Sequence, residues 1–463
     1  MAKPVYAFEE ADSKKRMLLG GKGAGLSEMT RLKLPVPPGF IITTEVCNKY
    51  YDNNKKLPKD LMSAVMKNIT KMEKKTGKKW NSTKNPLLVS VRSGAAISMP
   101  GMMDTILNLG LNEKTVEGFA EQTKNPRFSW DSYRRFIQLF GKVVFGVNDE
   151  KFDHVLDSAK TKQGVSDDSK LNVESLKTIV SEYKKICEAH TKRKFPDSPK
   201  EQLELSIEAV FRSWMGERAI VYREKNNITK DIANGTAVNV VTMVFGNMGD
   251  DSATGVVFTR NGHNGKKEIE GEYLINAQGE DVVAGVRTGK NIELLKKDMP
   301  KSHKELSNAC TKLEKHFREP QDIEFTIEQG KFYLLQTRTA KMSAAALVKT
   351  SVDMVKEKLI DKNRALTRIP AQQLEALLHR TMDESKIKDH KQVAKGIAAS
   401  PGAASGIVVF DVKKTIELGE AGKKIILVRK ETKPEDVPAF FSAEGILTSL
   451  GGKSSHAAIV SRG

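Results

Sequence analysis

The sequence predicts a mixed α/β protein with more than one domain. Its 463 residues exceed the size at which a single hydrophobic core stops growing, so two to four domains are expected. A hydrophobic content of 39% and a charged content of 29% are typical of a globular chain. Short apolar runs punctuated by glycine and proline indicate strands, and two stretches with helical periodicity interrupt them. The sequence therefore predicts a large α/β domain, a helical linker and a smaller α/β domain.

The first predicted domain covers residues 1–340. Its strand signals are LPVPPGFIIT, PLLVSVRSG, AVNVVTMVFG, TGVVFTR, EYLINAQG, IEFTIEQG and KFYLLQTR. The last two strands are joined by Gln-Gly, which predicts a hairpin. Between the strand signals PLLVSVRSG and AVNVVTMVFG, residues 115–223 are charged and poor in glycine. Their aromatic residues recur at spacings of three and four. This pattern predicts a helical insert.

A linker and a smaller domain are predicted after the first domain. Residues 341–393 are rich in Lys, Glu, Ala and Leu, which predicts helix that acts as a stiff spacer. In residues 394–463, the runs GIVVF, KKIILVRK and EGILTS predict strands, and a Gly-Gly turn leads into the helical SHAAIVSRG. The sequence ends before this helix is complete. We therefore expect a truncated domain that is less stable than the rest of the chain.

Composition also limits the classes of function. The formal charge of +18 favours polyanionic partners, but Lys-rich stretches such as residues 71–79 lack the interleaved aromatic residues that stack on bases. Solvated basic faces are therefore favoured over a nucleic-acid site, which would predict salt-sensitive binding to DNA or RNA. Cys47, Cys187 and Cys310 are odd in number and far apart, which argues against a disulfide framework or a zinc knuckle.

Localisation is predicted from what the sequence lacks. The N-terminal segment MAKPVYAFEEADSKKR has acidic residues where a signal peptide needs an apolar stretch. The sequence contains no uncharged run long enough to span a membrane. The sequence therefore predicts a cytoplasmic protein without a membrane partner.

A first candidate site lies in LLGGKGAGL. Gly20, Gly21, Gly23 and Gly25 surround Lys22, so backbone amides and one ammonium group could approach an anionic ligand. The segment is not a Walker A loop, because glycine stands where that motif has Ser or Thr. It predicts a phosphate site, with a plain glycine-rich turn as the alternative.

A second candidate is Arg92. It follows the strand-like LLVSV and precedes a loop of small residues and methionines. An arginine at a strand end can bind a phosphate through two hydrogen bonds, and such a loop could fold over a nucleotide. The alternative is a surface arginine.

The predicted hairpin places polar residues on one face. Asp322 and Glu324 are two residues apart on one strand, and Gln336 and Arg338 are two apart on its partner. Carboxylate and amide oxygens beside a guanidinium group are suited to a Mg²⁺-nucleotide. The alternative is the polar outer face of a half-solvated sheet.

His456 is the candidate nucleophile. It follows Gly451-Gly452-Lys453-Ser454-Ser455 and begins the apolar stretch AAIV, so backbone amides and a helix dipole would favour a phosphoryl anion there. Neutral imidazole is a competent nucleophile at physiological pH. A purely structural histidine remains the alternative.

Taken together, these motifs resemble those of the pyruvate, phosphate dikinase family, and the chain is similar to the N-terminal half of its members. The resemblance is carried, in order, by GGKGAGL, RSGAAISMPGMMDTILNLGLN, FGNMGDDSATGVVFTR, GEYLINAQGEDVVAGVRTG, QDIEFTIEQGKFYLLQTR, ASPGAASG, ILVRKETKPEDV and GGKSSHAAIVSRG. It implies an ATP-grasp nucleotide-binding domain followed by a swivelling phosphohistidine domain. The pyruvate-binding barrel of the family does not appear in this sequence.

The resemblance also implies a reaction. In the family a histidine takes a pyrophosphoryl group from ATP, passes the terminal phosphoryl group to inorganic phosphate and donates the other to pyruvate. It implies ATP, phosphate, pyruvate and phosphoenolpyruvate as partners, Mg²⁺ as cofactor and a homodimer for full-length members.

Site residues follow from the same resemblance. His456 corresponds to the catalytic histidine, Lys22 and Arg92 to catalytic phosphate contacts, and Arg338 to a catalytic residue of the Mg²⁺-ATP site. Glu324 and Gln336 correspond to the metal ligands. The remaining residues implied to bind the nucleotide are Gly101, Met103, Thr254, Asp281 and Asp322.

The histidine loop departs from the family pattern. Members show Gly-Gly-Met-Thr-Ser-His, whereas this chain has Lys453 and Ser454. Ser454 retains a hydroxyl group at a position that is phosphorylated in plant members. Lys453 is similar to the basic residue at this position in the related pyruvate, water dikinases. Membership of that family is one alternative to the dikinase assignment. A non-catalytic ATP-binding fragment is another, and AMP formation would separate it from an enzyme.

Overall fold

The chain is a mixed α/β protein, as predicted. The computed structural model describes residues 3–99, 101–283, 288–377, 393–400 and 402–461. These residues fall into two compact units, which divide between Val244 and Phe245. The division lies within the range that the sequence assigns to one nucleotide-binding domain. The first unit contains one sheet and the second contains two, and each unit is described in turn.

The first unit contains a five-stranded antiparallel sheet in the order β1-β2-β5-β3-β4. Its strands are β1 Val5–Ala7, β2 Gly39–Ile42, β3 Val89–Ala95, β4 Thr105–Leu109 and β5 Thr236–Thr242. Strand β5 is buried along its whole length, including the polar residue Asn239. Because β5 lies at the centre, it positions β3 on one side and β2 on the other.

Helices cover the rest of the first unit. They are α1 Arg16–Arg31, α2 Thr44–Asp52, α3 Leu61–Thr76, α4 Glu113–Thr123, α5 Pro126–Val143, α6 Asp149–Gln163, α7 Val173–Thr191, α8 Pro199–Ser213 and α9 Glu217–Lys225. Asparagine side chains accept backbone hydrogen bonds at the starts of α4, α5, α6 and α7. The aromatic residues of α5 lie at helical spacing, and the rings of Phe136 and Phe140 are 5.4 Å apart.

The second unit contains an antiparallel sheet in the order β10-β9-β6-β7-β8. Its strands are β6 Ala253–Phe258, β7 Glu270–Ile275, β8 Lys290–Asn291, β9 Gln321–Glu328 and β10 Lys331–Thr339. The predicted hairpin turn is confirmed, because Gln329 (φ 47°) and Gly330 (φ 72°) connect β9 to β10. Positive φ at both positions is the backbone that a two-residue hairpin turn requires.

A smaller parallel sheet follows in the order β11-β12-β13. Its strands are β11 Ile407–Val409, β12 Ile425–Arg429 and β13 Gly445–Thr448. The helices of the second unit are α10 Gly279–Val283, α11 Leu295–Asp298, α12 Pro300–Phe317, α13 Ala344–Lys356, α14 Lys362–Thr367, α15 Ala371–Ala376, α16 Val412–Glu420, α17 Val437–Phe440 and α18 His456–Ser461. Helices α13 to α15 lie in the predicted linker, whose residues 378–392 are outside the described ones.

Cys47, Cys187 and Cys310 are buried, free thiols, and burial raises the pKa of each to about 12. They therefore stay protonated and poorly nucleophilic. Within the described ranges, no helix combines the length and apolarity that membrane crossing needs.

Candidate functional site

His456 begins helix α18 directly after the glycine turn. Its side chain is 8% exposed, and its Nδ1 atom is 3.1 Å from the Thr432 hydroxyl oxygen. Its Nε2 atom is buried and has no hydrogen-bonding partner among the described residues. Burial lowers the pKa of His456 and outweighs the negative charges of Asp436 and Glu435, which act in the opposite direction. The imidazole is therefore neutral at pH 7, with Nδ1 engaged by Thr432 and Nε2 without a described hydrogen-bonding partner.

The residues before His456 contact strand β7. The Lys453 ammonium group lies 2.6 Å from Glu270 Oε1, and the Lys453 backbone N–H donates to Glu272 Oε1 at 3.2 Å. The Ser454 hydroxyl donates to Glu272 Oε2 at 3.4 Å. An ideal Cβ on Gly452 would lie 2.1 Å from the same carboxylate, so a larger residue there would displace the Glu272 side chain from the loop. Burial raises the pKa of Glu272.

The predicted polar pairs form across β9 and β10. Arg338 Nε donates to Asp322 Oδ2 at 2.7 Å, and Gln336 Nε2 donates to Glu324 Oε1 at 3.0 Å. A β-bulge at Leu335 makes both pairs possible, since the pairing passes from Leu334 opposite Phe325 to Gln336 opposite Glu324. In a regular strand, Gln336 would share the core face with Leu334.

Strand pairing relates these residues to the histidine loop. Val256 of β6 lies opposite Glu324 on one side and Glu272 on the other, and Phe258 likewise lies between Asp322 and Glu270. Directly opposite residues share a face of a sheet. The two pairs of carboxylates therefore stand on one face, separated by two strand spacings, or about 10 Å.

Two further predicted residues lie near this face. The Thr254 hydroxyl donates to the Phe325 carbonyl oxygen at 3.1 Å, and Thr254 precedes Val256 by two residues on β6. Asp281 accepts the Gln278 backbone N–H at 2.8 Å and lies in helix α10. Val282 of α10 packs with Val256 in a small buried cluster. The structure thus places Thr254 and α10 on the face that carries Glu324.

The donor atoms on this face fit Mg²⁺ bound together with a nucleotide. Glu324 and Asp322 supply carboxylate oxygens and Gln336 an amide oxygen, which are the hard ligands that this ion takes. No group of three or more His, Cys, Asp or Glu residues that could hold a metal ion occurs in the described part of the chain. Mg²⁺ usually binds one or two carboxylates and completes its shell with phosphate and water. The residues fit that mode rather than an all-protein site.

In the first unit, Lys22 lies in a helix and not in the glycine-rich turn that the sequence left as an alternative. Helix α1 is kinked at Gly20 (φ 70°, ψ 161°) and continues through the other glycines. An ideal Cβ on Gly20 would lie 1.9 Å from the Gly94 carbonyl oxygen. One on Gly94 would lie 3.4 Å from the Lys22 Cβ. The glycines therefore let α1 contact β3, with Lys22 against that strand.

Arg92 lies inside β3 rather than at its end. It pairs with Thr105 on one side and Asn239 on the other, and it is half-buried. The side chain of Asn239 is fully buried, and its Nδ2 atom donates to the Arg92 carbonyl oxygen at 3.4 Å. An ideal Cβ on Gly23 would lie 2.9 Å from Asn239 Oδ1. Asn239 thus lies between α1 and β3 and connects the segments that carry Lys22 and Arg92.

The loop between β3 and β4 carries Gly101 and Met103. Gly101 has φ 71°, and its carbonyl oxygen accepts a hydrogen bond from Arg218 Nη1 at 3.4 Å. Arg218 also lies 3.5 Å from Asp104. Met103 immediately precedes Asp104 and is half-buried. Gly101 and Met103 therefore lie on the connection between β3, which carries Arg92, and β4.

Sequence reasoning missed several residues at these sites. Thr432, Glu270 and Glu272 contact the histidine or its loop, and Asn239 lies beside Lys22 and Arg92. Asn239 was detectable as the polar residue within the apolar run AVNVVTMVFG. Glu270 and Glu272 alternate in a strand, but only the pairing of β6 with β7 reveals their relation to Glu324.

Comparisons with known proteins cover the whole chain. The family model described as "Pyruvate phosphate dikinase, AMP/ATP-binding domain" matches residues 16–57, 53–303 and 299–359. The model described as "PEP-utilising enzyme, mobile domain" matches residues 421–463.

Individual relatives agree with the family models. A pyruvate, phosphate dikinase of Entamoeba histolytica is 54% identical over 99% of this chain and 52% of its own length. One of Clostridium symbiosum is 51% identical over 100% of this chain and 53% of its own length. A chloroplastic relative of Arabidopsis thaliana is 47% identical over 100% of this chain and 48% of its own length. The chain spans about half the length of these curated relatives. These matches show that the chain belongs to the pyruvate, phosphate dikinase family.

Proposed function

We propose that this chain binds Mg²⁺-ATP and that His456 accepts a pyrophosphoryl group from it. The observation that carries the proposal is His456 itself, a buried and neutral imidazole in the segment matched by the mobile-domain model, with Nδ1 beside Thr432 and Nε2 without a described hydrogen-bonding partner. A histidine that served only packing would not need a ring nitrogen without a partner.

The Thr432 contact supports Nε2 as the nucleophile. When Nδ1 carries the proton and donates it to the Thr432 oxygen at 3.1 Å, the lone pair lies on Nε2. Nε2 would form a bond to the β-phosphorus of ATP while the bond from that phosphorus to the α,β-bridging oxygen breaks. AMP would leave with the electron pair. The positive charge gained by the ring would be shared with Thr432 through the Nδ1 hydrogen bond.

The other site residues would hold the nucleotide. Lys22 and Arg92 supply positive charge for phosphate oxygens, and Glu324 and Gln336 supply oxygens for Mg²⁺. The ion, when bound, would neutralise charge on the β- and γ-phosphates. Arg338 is held by Asp322 and would add a further cation. Gly101, Met103, Thr254 and Asp281 would line the nucleotide.

The finer fold assignment belongs to the same proposal. We assign the two nucleotide-binding sheets to an ATP-grasp domain, residues 1–340, with residues 115–223 as its helical insert. Residues 341–393 would be a linker and residues 394–463 a swivelling phosphohistidine domain. The antiparallel sheets, the parallel three-stranded sheet and the two family matches support this assignment.

The full dikinase cycle requires more than these residues. In the complete reaction the terminal phosphoryl group would pass from His456 to inorganic phosphate, and the remaining one to pyruvate to form phosphoenolpyruvate. The last step needs a pyruvate-binding barrel, which we expect in the part of the relatives that lies beyond this match. A homodimeric, cytoplasmic enzyme is the corresponding expectation for the whole protein.

Labelled ATP tests the central step. Incubation with Mg²⁺ and ATP labelled separately at the β- and γ-phosphates should transfer both labels to the protein and release AMP. The reaction should be quenched in alkali, because phosphohistidine is labile in acid. His456→Asn should abolish labelling. Label on His456→Asn, or formation of ADP alone, would overturn the proposal.

Binding measurements test the nucleotide residues. Arg92→Ala and Glu324→Ala should each weaken Mg²⁺-ATP binding measured by calorimetry, by about tenfold or more. Arg193→Ala serves as a control, since it removes an exposed positive charge from the same unit as Arg92. Wild-type affinity and wild-type phosphoryl transfer in both site variants would contradict the assignment.

A further inference from the structure

The loop that precedes His456 is attached to strand β7 by side chains of both partners. Glu270 accepts the Lys453 ammonium group at 2.6 Å, and Glu272 contacts the backbone of Lys453 and the hydroxyl of Ser454. The Glu272 contacts can persist with many residues at position 453. The Glu270 contact is different, because it depends on the charge of Lys453.

Glu270 is well placed to hold this charge. Its second carboxylate oxygen accepts the Gly262 backbone N–H at 3.2 Å, so the side chain is fixed by the β6–β7 connection as well as by Lys453. The exposed fractions of the two side chains are 33% for Lys453 and 17% for Glu270. A partly buried pair with a fixed partner is screened less by salt and loses less side-chain entropy than a pair on the open surface.

The ion pair lies on the same face of the sheet as the residues proposed to bind Mg²⁺-ATP. Glu270 stands in the same row as Asp322, and Glu272 in the same row as Glu324, on one face of the sheet. The histidine loop is therefore attached two strands away, about 10 Å, from the residues proposed to bind Mg²⁺-ATP. Phosphoryl transfer requires such an approach to be held while the bond forms.

We propose that Lys453 is a positioning residue, whose ion pair with Glu270 holds the histidine loop on the nucleotide-binding face during transfer from ATP. The role rests on the proposed function, since it assumes that His456 is the acceptor. The pair has to separate when His456 leaves this face, so its strength sets the fraction of molecules in which the loop is attached. Lys453 acts through the placement of His456 and does not itself contact the reacting atoms.

Reversing the charges of Lys453 and Glu270, first singly and then together, tests the ion pair without relying on one variant. Lys453→Glu and Glu270→Lys should each slow incorporation of the β-label into His456 by about tenfold, whereas the double variant restores most of the rate. Lys453→Arg keeps the positive charge and should retain the wild-type rate of β-label incorporation. Lys423→Glu is a matched control, since it reverses an exposed charge in the same part of the chain and should leave the rate unchanged. Equal rates in all variants, or a double variant slower than both singles, would overturn the proposal.

Hydrogen exchange provides a readout that needs no catalysis. The Lys453 amide is protected by Glu272, so its exchange should become faster in each single variant and return toward the wild-type rate in the double variant. Unchanged exchange in Lys453→Glu would overturn the ion-pair role even if wild-type His456 is labelled by ATP. Faster exchange in the single variants together with no labelling of the wild type would support the attachment and reject the proposed function instead.

Discussion

At the scale of single residues, His456 combines two properties that are seldom found together. A buried histidine is usually held through both ring nitrogens, whereas here Nδ1 meets Thr432 and Nε2 meets no described partner. Burial also keeps the ring neutral by lowering its pKa. The same environment thus orients the imidazole and preserves its lone pair.

The lowered pKa of His456 predicts a specific pH dependence. Its ordinary value of 6.5 is lowered by burial, so the buried ring binds a proton less readily than an exposed one. The stability that the neutral ring contributes is present above pH 6.5 and is lost as the pH falls through the lowered pKa. Since the neutral ring is the nucleophile, labelling of His456 should fall to half of its rate at neutral pH only below pH 6.5.

The measurement is the initial rate of β-label incorporation across this range, together with an NMR titration of the His456 ring. The midpoint in both should lie below 6.5. A ring midpoint at or above 6.5 would contradict the claim that burial dominates over Asp436 and Glu435.

At the scale of elements, the contact between α1 and β3 depends on glycine in two ways. Gly20 has φ 70°, and a Cβ on it would lie 1.9 Å from the Gly94 carbonyl oxygen. Gly146 has φ 72°, but a Cβ there would meet nothing within 4 Å. The two positions thus share a positive φ and differ in available space.

Alanine substitution should separate these contributions. Gly146→Ala should lower the free energy of unfolding by about 1 kcal/mol, the cost of a left-handed conformation. Gly20→Ala should lower it by about 3 kcal/mol or more, because α1 also has to move away from β3. Denaturant unfolding of the first unit measures both. Equal losses would show that α1 does not need the close approach.

Sequence patterns predicted the elements better than their connections. Alternation in QDIEFTIE and KFYLLQTR identified β9, β10 and the paired polar residues, because side chains alternate along a strand. The short strand β4 was missed. The segment around Lys22 was interpreted through its glycines, although it is helical, because their role is to admit a neighbouring strand. That role depends on β3, about seventy residues away, and local patterns carry no such information.

At the scale of the whole molecule, the second unit has an ionic centre of its own. Arg260 is fully buried, and its Nη2 atom lies 2.7 Å from both Glu314 and Glu357. Glu314 belongs to α12, and Glu357 directly follows α13. One guanidinium group therefore connects the segment that follows β6 to helix α12 and to the end of α13.

Removal of this group should destabilise the second unit alone. Arg260→Met would leave two carboxylates without their principal cation, at a cost of about 3–5 kcal/mol. Hydrogen exchange should become faster in α12 and β6 and stay unchanged in the sheet of the first unit. Adding Glu314→Gln should recover part of the loss. The same increase in exchange in both units would contradict the independence of their cores.

The bulge at Leu335 makes the proposed Mg²⁺ site tolerant of the loss of one residue from β10. Deleting Leu335 would restore regular pairing, because Gln336 would then follow Leu334 directly and stay opposite Glu324, with Arg338 still opposite Asp322. A one-codon deletion of Leu335 should therefore leave Mg²⁺-ATP binding nearly as strong as in the wild type. Leu335→Ala retains the extra residue and should also bind the nucleotide nearly as well as the wild type, as calorimetry would show. Loss of binding in the deletion variant alone would show that the site needs the extra residue itself and not only the register that follows it.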